Sequence, residues 1–403
     1  MGLGSAVRAA GLSLILPYFV LYLRNVLGLG YLEIGGLSSV VAILPLAIAP
    51  FAGLLADRVG RRRVFLISLL GEALGVVAVA FSMEARSLEG VVAFVIATAC
   101  AGTIAGPAIS AYYADFSTGS DRTRAFTTQR IGWNVGFTLG VLSGGGLLGL
   151  LGFAGVGFGA GILLGAAVAL LAATVQPSRY DRDRSAGLPR GEPGHRSGVR
   201  ETIGLLSRDR VFLVMCASMA IAQLAIAQWS PILPLYANTV LGIPYSVIGI
   251  ALALNGLLVV VAQAPTTTLA LGHRHTTVLQ IGILLYAGGF LLLALVALVP
   301  AIVLSIFFAS IVVLTIGENV ASIPFQTLPS NFAPPTDIAA YNGAFSAIVG
   351  IGQLLAPAVG GVVLASTSSP AVTWSILMIP VVPALLLSQL YVVPRIRAST
   401  NRA

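Results

Sequence analysis

The stretch PYFVLYLRNVLGLGYLEIG (residues 17–35) returns 214 residues later as PILPLYANTVLGIPYSVIG (residues 231–249). Nine of the 19 aligned positions are identical. A shift of 216 residues extends the match to five further pairs: Phe116/Phe332, Asp121/Asp337, Gly136/Gly352, Gly144/Gly360 and Gly145/Gly361. Because this self-similarity relates the two halves of the chain, the sequence predicts two copies of one structural unit in tandem.

The composition indicates an integral membrane protein. Apolar residues make up 57% of the 403 residues and charged residues only 9%, against about 25% charged residues in an ordinary soluble domain. So few charges exclude a cytosolic globular protein. The 22 basic residues are all arginines, spread over short loops, which argues against a nucleic-acid interface. The two cysteines lie inside apolar segments and show neither metal-ligand spacing nor a disulfide framework.

Twelve apolar segments have the length that a membrane-spanning helix needs, about 20 residues. We place them near residues 6–28, 31–54, 64–83, 91–114, 125–148, 151–175, 210–237, 244–270, 276–298, 300–324, 341–364 and 371–393. We therefore predict an all-α integral membrane protein with a six-helix half at 1–175, a linker at 176–209 and a second six-helix half at 210–403. Since six is an even number, both halves have the same orientation. Parallel repeats of this kind build transporters around a site between the two halves.

The positions of the arginines predict the orientation in the membrane. With both termini in the cytoplasm, 20 of the 22 arginines lie on the inner side, Arg8 among them as a loop charge, and only Arg24 and Arg86 lie outside. By the positive-inside rule we expect a multi-pass protein of the cell inner membrane, with both termini and the linker in the cytoplasm.

The motif GLLADRVGRRR (residues 53–63) stands between predicted spans 2 and 3. It resembles the G-x-L-a-D-r-x-G-r-[KR] signature of the major facilitator superfamily, and all twelve spans fit that family. In the family this loop latches the two halves on the cytoplasmic side. The resemblance implies a latch formed by Gly53, Asp57, Arg58, Gly60, Arg61 and Asp115, with Asp115 as the partner of Arg61. The alternative is that the arginines of the loop only set the topology.

Two acidic residues lie within predicted spans, Glu318 in span 10 and Glu72 in span 3. A charge near the middle of a bilayer costs about 2.5 to 3.5 kcal/mol, so each must be paired, hydrated or protonated. The repeat aligns Glu318 with Gly102, so the first half has no acid at this position and Glu318 is not part of the structure that the two halves share. The motif GENVASIP around Glu318 resembles span 10 of bacterial drug:proton antiporters, which implies proton coupling at Glu318. Glu72 is a second candidate, although a structural contact is favoured there, and a structural carboxylate remains the alternative for Glu318.

The resemblance places spans 1, 4, 7 and 10 around a central cavity for a small-molecule substrate. Candidate cavity residues are Tyr18, Arg24, Tyr112, Arg130, Trp133, Asn134, Gln223, Gln228, Trp229, Asn255 and Asn319. This set is aromatic and amide-rich, which suits an amphipathic or weakly polar solute. A phosphate or a di-acid would need several converging arginines. Span 5 reads GFTLGVLSGGG (residues 136–146) without the proline that the antiporter signature has here, which weakens the antiporter assignment.

These observations predict a secondary transporter that works by alternating access, most simply a monomeric, proton-coupled exporter of amphipathic or drug-like compounds. No G-x-x-x-x-G-K-[ST] loop is present, so nucleotide hydrolysis is not the energy source. We expect no enzyme activity, no cofactor and no metal site. Two alternatives stay open: a facilitator or proton symporter for a sugar or other neutral metabolite, and a non-transporting membrane receptor or lipid-handling protein.

Overall fold

The computed structural model describes residues 2–116, 119–177, 207, 209–271, 273–296, 300–334, 337–367 and 369–395. Every regular element in these ranges is helical. The first half contains α1 (Gly2–Ile15), α2 (Phe19–Asn25), α3 (Tyr31–Val59), α4 (Arg61–Glu84), α5 (Leu88–Phe116) and α6 (Gly119–Thr174). A 3₁₀ turn, Leu16–Tyr18, joins α1 to α2.

The second half repeats this pattern, again with a 3₁₀ turn inside its first span, at Ala227–Trp229. Its helices are α7 (Arg210–Ile226), α8 (Ile232–Thr239), α9 (Tyr245–Leu271), α10 (His275–Leu295), α11 (Val303–Phe332), α12 (Ile338–Ser366), α13 (Pro370–Met378) and α14 (Val381–Leu387). A 3₁₀ turn at Pro300–Ile302 precedes α11, and a π-helical turn at Ser388–Val392 follows α14.

Eleven helical stretches of the described chain are long and apolar enough to cross a membrane. Helices suit this environment because all of their interior backbone groups bond within the helix and none needs water. Span 10 is longer than the sequence predicts: α11 continues through Pro324 and Pro329 to Phe332, instead of ending near residue 324.

One of the eleven stretches, Thr127–Thr174, has 48 residues. At 1.5 Å per residue it would reach about 72 Å, more than twice the roughly 30 Å hydrocarbon core. It breaks at Gly152, whose φ of 67° and ψ of 177° are not helical. Only glycine adopts such a backbone without strain. The break lies one residue inside the segment that the sequence predicts to be span 6.

Helix α1 packs against α6 on both sides of the Gly152 break, that is, against a first arm at residues 127–151 and a second arm at residues 153–174. The contacts show that these two arms run in opposite directions. Along the first arm, Gly136 lies against Ala6 and Gly144 lies against Leu14. Residue numbers therefore rise together, so this arm is parallel to α1. Along the second arm the order is reversed, since Gly4 lies against Leu171 and Gly11 lies against Leu164. The 48-residue stretch thus passes along α1 twice.

The described helices group into two compact units. The first comprises Met1–Gly30, Val40–Gly191 and Ala237–Leu257, and the second comprises Tyr31–Ser39, Glu192–Tyr236 and Leu258–Ala403. Each unit therefore includes one short segment from the other half of the sequence.

The internal repeat is present in the backbone as well as in the sequence. Gly28 and Gly242, one identical pair, have φ values of 73° and 68°. The residue after each glycine donates its N–H to the carbonyl six residues earlier: Leu29 to Leu23 at 3.1 Å, and Ile243 to Ala237 at 2.9 Å. This is a glycine-terminated helix end, and it occurs at equivalent positions in the two copies.

Equivalent glycine contacts also occur inside each unit. In the first unit Gly145 of α6 meets Gly249 of α9, and a Cβ on Gly145 would lie 2.9 Å from the Gly249 Cα. In the second unit a Cβ on Gly361 of α12 would lie 2.9 Å from the Gly35 Cα of α3. The repeat aligns Gly35 with Gly249 and Gly145 with Gly361. Small residues allow such close approach of backbones, so both copies use them for the same helix crossing.

Candidate functional site

Glu72 of α4 forms a buried ion pair with Arg8 of α1. The Arg8 Nε donates to one Glu72 carboxylate oxygen and Nη2 to the other, both at 2.6 Å. The Glu72 side chain is 2% exposed and the Arg8 side chain 11% exposed. A bidentate guanidinium–carboxylate pair is among the strongest charge-assisted contacts. Two oppositely charged groups therefore neutralise each other inside the first unit.

Residues of α5 and α6 also contact this ion pair. A Cβ on Gly102 of α5 would lie 2.6 Å from the Glu72 Oε1, so the missing side chain makes room for the carboxylate. The Arg8 guanidinium carbon lies 5.4 Å from the ring centroid of Trp133 in α6, a cation–π distance. Four helices thus contribute to one polar cluster.

The interpretation of Arg8 as a loop charge is wrong, because α1 begins at Gly2 and Arg8 lies inside it. The signal that could have identified Arg8 was Glu72 itself. A buried carboxylate in span 3 is stabilised by a buried cation, and Arg8 is followed directly by an apolar run.

Glu318 of α11 lies in the second unit and is half-buried. Asn319, the next residue, is 2% exposed and its Nδ2 donates to the Leu258 carbonyl at 3.5 Å. Tyr286 of α10 lies within electrostatic reach of the Glu318 carboxylate. The two helices approach closely, since a Cβ on Gly317 would lie 3.1 Å from the Tyr286 nitrogen.

The repeat relates the two carboxylates by position. A shift of 214 residues aligns Glu72 with Tyr286, and a shift of 216 aligns Gly102 with Glu318. Packing supports this alignment, because Gly75 lies against Thr98 in the first unit and the aligned Gly289 lies against the aligned Leu314 in the second. In the first copy the Glu72 carboxylate occupies the space beside Gly102. In the second copy Glu318 stands at the position that aligns with Gly102.

The loop between α3 and α4 has the predicted turn. Gly60 separates the two helices with a φ of 112°. Arg61 is half-buried and Arg58 is exposed. The side chains of Gly53, Asp57 and Asp115 lie outside the described residues, so the latch between Arg61 and Asp115 stays a prediction.

Two residues near this loop hold the end of α6, a role that the sequence does not indicate. The Arg62 guanidinium donates to the carbonyls of Val175 at 2.7 Å and Ala172 at 3.2 Å. Tyr112, a predicted cavity residue, donates its hydroxyl to the Gln176 carbonyl at 2.8 Å and is 2% exposed. Cations and donors at the last carbonyls of a helix stabilise its end, so both side chains fix the start of the linker.

Other predicted cavity residues bond to backbone. The buried Tyr18 hydroxyl donates to the Val141 carbonyl at 2.5 Å, and Arg24 donates to the Leu29 carbonyl at 2.8 Å. Gln228 is fully buried and its Nε2 donates to the carbonyls of Leu224 and Ala356. These bonds connect or terminate helices.

The remaining candidates differ in how far a solute can reach them. Gln223 and Asn255 are each 6% exposed. Trp133 is 37% exposed, and Trp229, Arg130 and Asn134 are half-buried. The Asn134 Nδ2 donates to the Arg130 carbonyl one turn earlier at 2.9 Å. Arg130, Trp133 and Asn134 lie within five residues of one another along α6, and the Trp133 ring lies against Arg8 of the ion pair. Among the described residues no cluster of His, Cys, Asp or Glu could hold a metal ion.

The sequence matches a known family over its whole length. The family model of the Major Facilitator Superfamily matches residues 1–357 and, in a second match, residues 230–403. The tetracycline resistance protein, class C, of Escherichia coli is 28% identical over 297 residues, which are 71% of this chain and 70% of the relative. The multidrug resistance protein MdtG of Citrobacter koseri is 30% identical over 246 residues, 60% of this chain and 57% of the relative.

Solved structures resemble the fold at low sequence identity. The nucleoside transporter NupG superimposes with a TM-score of 0.70 at 17% identity, covering 96% of both chains. A POT family transporter in complex with 5-aminolevulinic acid superimposes with a TM-score of 0.74 at 14% identity, covering 97% of this chain and 94% of the other. At such identities the likeness shows a shared fold and does not indicate a shared substrate.

Proposed function

Because this chain belongs to the major facilitator superfamily, and is therefore a membrane transporter rather than an enzyme, we propose that it exports amphipathic, drug-like compounds in exchange for protons. Support for the substrate class comes from the relatives, which are named for tetracycline resistance and multidrug resistance. Support for proton exchange comes from the half-buried carboxylate of Glu318 within α11.

The reachable candidate side chains favour an amphipathic substrate. Trp133 and Trp229 offer aromatic faces, and Asn134 offers an amide. Two cations are among the half-buried candidates, Arg130 and Arg24, and Arg24 donates to the Leu29 carbonyl. They do not form the converging set that a phosphate or a di-acid needs, whereas indole rings suit flat, partly apolar molecules.

Glu318 is our proposed coupling carboxylate. It lies inside a span, where the charged form is costly, and its partial exposure allows a proton to reach it. Tyr286 and Asn319 supply polar neighbours within the same unit. A carboxylate in such a place can take up a proton from one side of the membrane and release it to the other as the transporter alternates its access.

Glu72 suits a different role in this proposal. Both of its oxygens are bound by Arg8 and the pair is almost fully buried. Protonating Glu72 would leave the Arg8 charge without its counterion in a low-dielectric site, which is strongly unfavourable. We therefore assign Glu72 to holding α1 against α4, and Glu318 to proton coupling.

The test is transport into liposomes with an imposed pH gradient. Liposomes that contain the purified protein should accumulate tetracycline or a lipophilic cation only when the pH gradient is present. In a separate measurement, addition of either compound to the purified protein should release protons from it. Glu318→Gln mimics the protonated acid, so gradient-driven accumulation should fall at least tenfold while equilibrium binding of the compound persists. Glu84→Gln, which changes an exposed carboxylate at the end of α4, is the matched control and should transport normally.

Two results would contradict the proposal. Unchanged accumulation and unchanged pH dependence in Glu318→Gln would make Glu318 a packing residue. Transport of a neutral sugar, measured in the same liposomes without any dependence on the gradient, would favour the facilitator alternative.

A further inference from the structure

A hydrogen-bonded cluster in the first unit joins the two halves of the sequence. The Asn25 Nδ2, at the end of α2, donates to the Asn238 Oδ1 at 2.8 Å and to the Tyr245 hydroxyl at 2.7 Å. Asn238 lies in α8 and Tyr245 begins α9, so both acceptors come from the second half. Asn25 is exposed, and the other two residues are half-buried.

The cluster and the arginine-rich loop lie on opposite faces of the membrane. Asn25 ends α2, and one further spanning helix, α3 (Tyr31–Val59), leads from there to the Gly60 turn. Because one span crosses the bilayer once, Asn25 and Gly60 are at opposite ends of it. We call the face that carries Asn25 the distal face.

The repeat separates two roles of Asn238. Its Nδ2 donates to the Ile243 carbonyl at 3.0 Å. Arg24, the aligned residue of the first half, donates in the same way to the aligned Leu29 carbonyl at 2.8 Å. A guanidinium has no acceptor atom, whereas the Asn238 amide also has an oxygen, and this oxygen accepts from Asn25. The contact between the halves therefore uses an atom that the shared turn does not need.

Aromatic rings also hold Tyr245. Its ring packs edge-to-face on Phe153 of α6, with the centroids 5.7 Å apart. Phe153 packs edge-to-face on Tyr22 of α2 in turn, at 5.5 Å. About one turn further along α9, Gly249 meets Gly145 of α6. Since the two backbones touch there, no solute can pass between α6 and α9 in this arrangement.

The chemistry of the cluster suits a contact that breaks and forms again. All three side chains are neutral, and hydrogen bonds between neutral groups contribute little net stability because water can replace either partner. The buried Arg8–Glu72 pair is the opposite case, since separating its charges is costly.

From these observations we propose that Asn25, Asn238 and Tyr245 form a gate that holds the distal face closed. For a solute to pass at this face, α8 and α9 must move away from α2 and α6. The proposal rests on transport by alternating access, in which each face opens in turn. It depends neither on the substrate nor on Glu318, and its test measures a distance instead of transport.

The test measures the distance between spin labels at Leu27→Cys and Leu241→Cys, in the two turns beside the gate, with the native cysteines replaced. Pulsed electron resonance in nanodiscs should give mainly one short distance. Asn25→Ala removes both bonds of the gate and should raise the ratio of a longer distance to the short one about tenfold. Tyr245→Phe removes one bond, keeps the ring, and should raise this ratio about threefold.

Glu84→Ala is the control, because it removes an exposed polar side chain where α4 ends at the distal face. It should leave the ratio unchanged, and a monodisperse elution peak should show that each variant is folded. An unchanged ratio in Asn25→Ala would overturn the proposal, and so would an equal rise in Glu84→Ala. If the distances respond as expected while Glu318→Gln transports normally, the gate stands and only the proposed proton coupling fails.

Discussion

The two copies of the repeat place a carboxylate at equivalent points, but they do so from different helices. In the first unit Glu72 extends from α4 over Gly102 of α5 and binds Arg8. In the second unit the position of Gly102 is occupied by Glu318 itself, and the position of Glu72 by Tyr286. The residue aligned with Arg8 is Ala222, which is fully buried.

One scaffold therefore holds an acid in two different surroundings. Where the repeat position holds an arginine, the carboxylate is buried to 2% exposure and its charge is neutralised. Where that position holds an alanine, the carboxylate stays half-buried. A buried pair is costly to break, whereas a partly exposed acid can exchange a proton. Variants of the first unit can therefore test whether its carboxylate is structural.

The largest effect is expected from Arg8→Ala. It leaves the Glu72 carboxylate buried without its counterion, and removing one partner of a buried pair costs about 3 to 5 kcal/mol. Thermal unfolding in detergent, followed by loss of the monodisperse elution peak, should show a large drop in midpoint temperature. The double variant Arg8→Ala with Glu72→Gln should recover part of the loss, since no charge then remains.

Arg63→Ala is the control for this variant, because it removes an exposed arginine from the same unit. If Arg8→Ala unfolds at the same temperature as Arg63→Ala, the ion pair does not stabilise the protein and the contrast between the two carboxylates fails.

An intermediate effect is expected from Gly102→Ala. The new Cβ would lie 2.6 Å from the Glu72 Oε1, so the ion pair must shift, at a cost of about 1 to 3 kcal/mol. Gly165→Ala is the matched control, since Gly165 has open space around it within α6 and alanine favours a helix. Thermal unfolding should separate the two variants. Equal midpoints would show that the carboxylate does not need the space over Gly102.

The smallest effect is expected from Trp133→Leu. It removes the ring that faces the Arg8 guanidinium, an interaction of about 0.5 to 2 kcal/mol. Trp133→Phe retains an aromatic face and should lose less. Thermal unfolding in detergent measures both variants. Equal midpoints for Trp133→Leu and Trp133→Phe would show that the aromatic face does not stabilise Arg8.

Much of the fold could be predicted because it depends on local features of the sequence. Apolar length predicts the spans, and three glycines with positive φ, Gly28, Gly60 and Gly242, lie at the ends of the predicted spans or between them. Helix ends were harder to predict, as α11 shows by continuing through Pro324 and Pro329. In the candidate site, Glu72 and Glu318 could be found as charges in apolar segments, but their different surroundings could not.

The helices, the duplication and the two acids inside apolar segments follow from the amino-acid order, because composition, periodicity and repetition can be seen there directly. The partners of the side chains in the site do not follow from it. Arg8 and Glu72 are 64 residues apart, and so are Tyr112 and Gln176. Such contacts depend on how α1, α4, α5 and α6 rotate and cross, which the pattern of one helix does not contain.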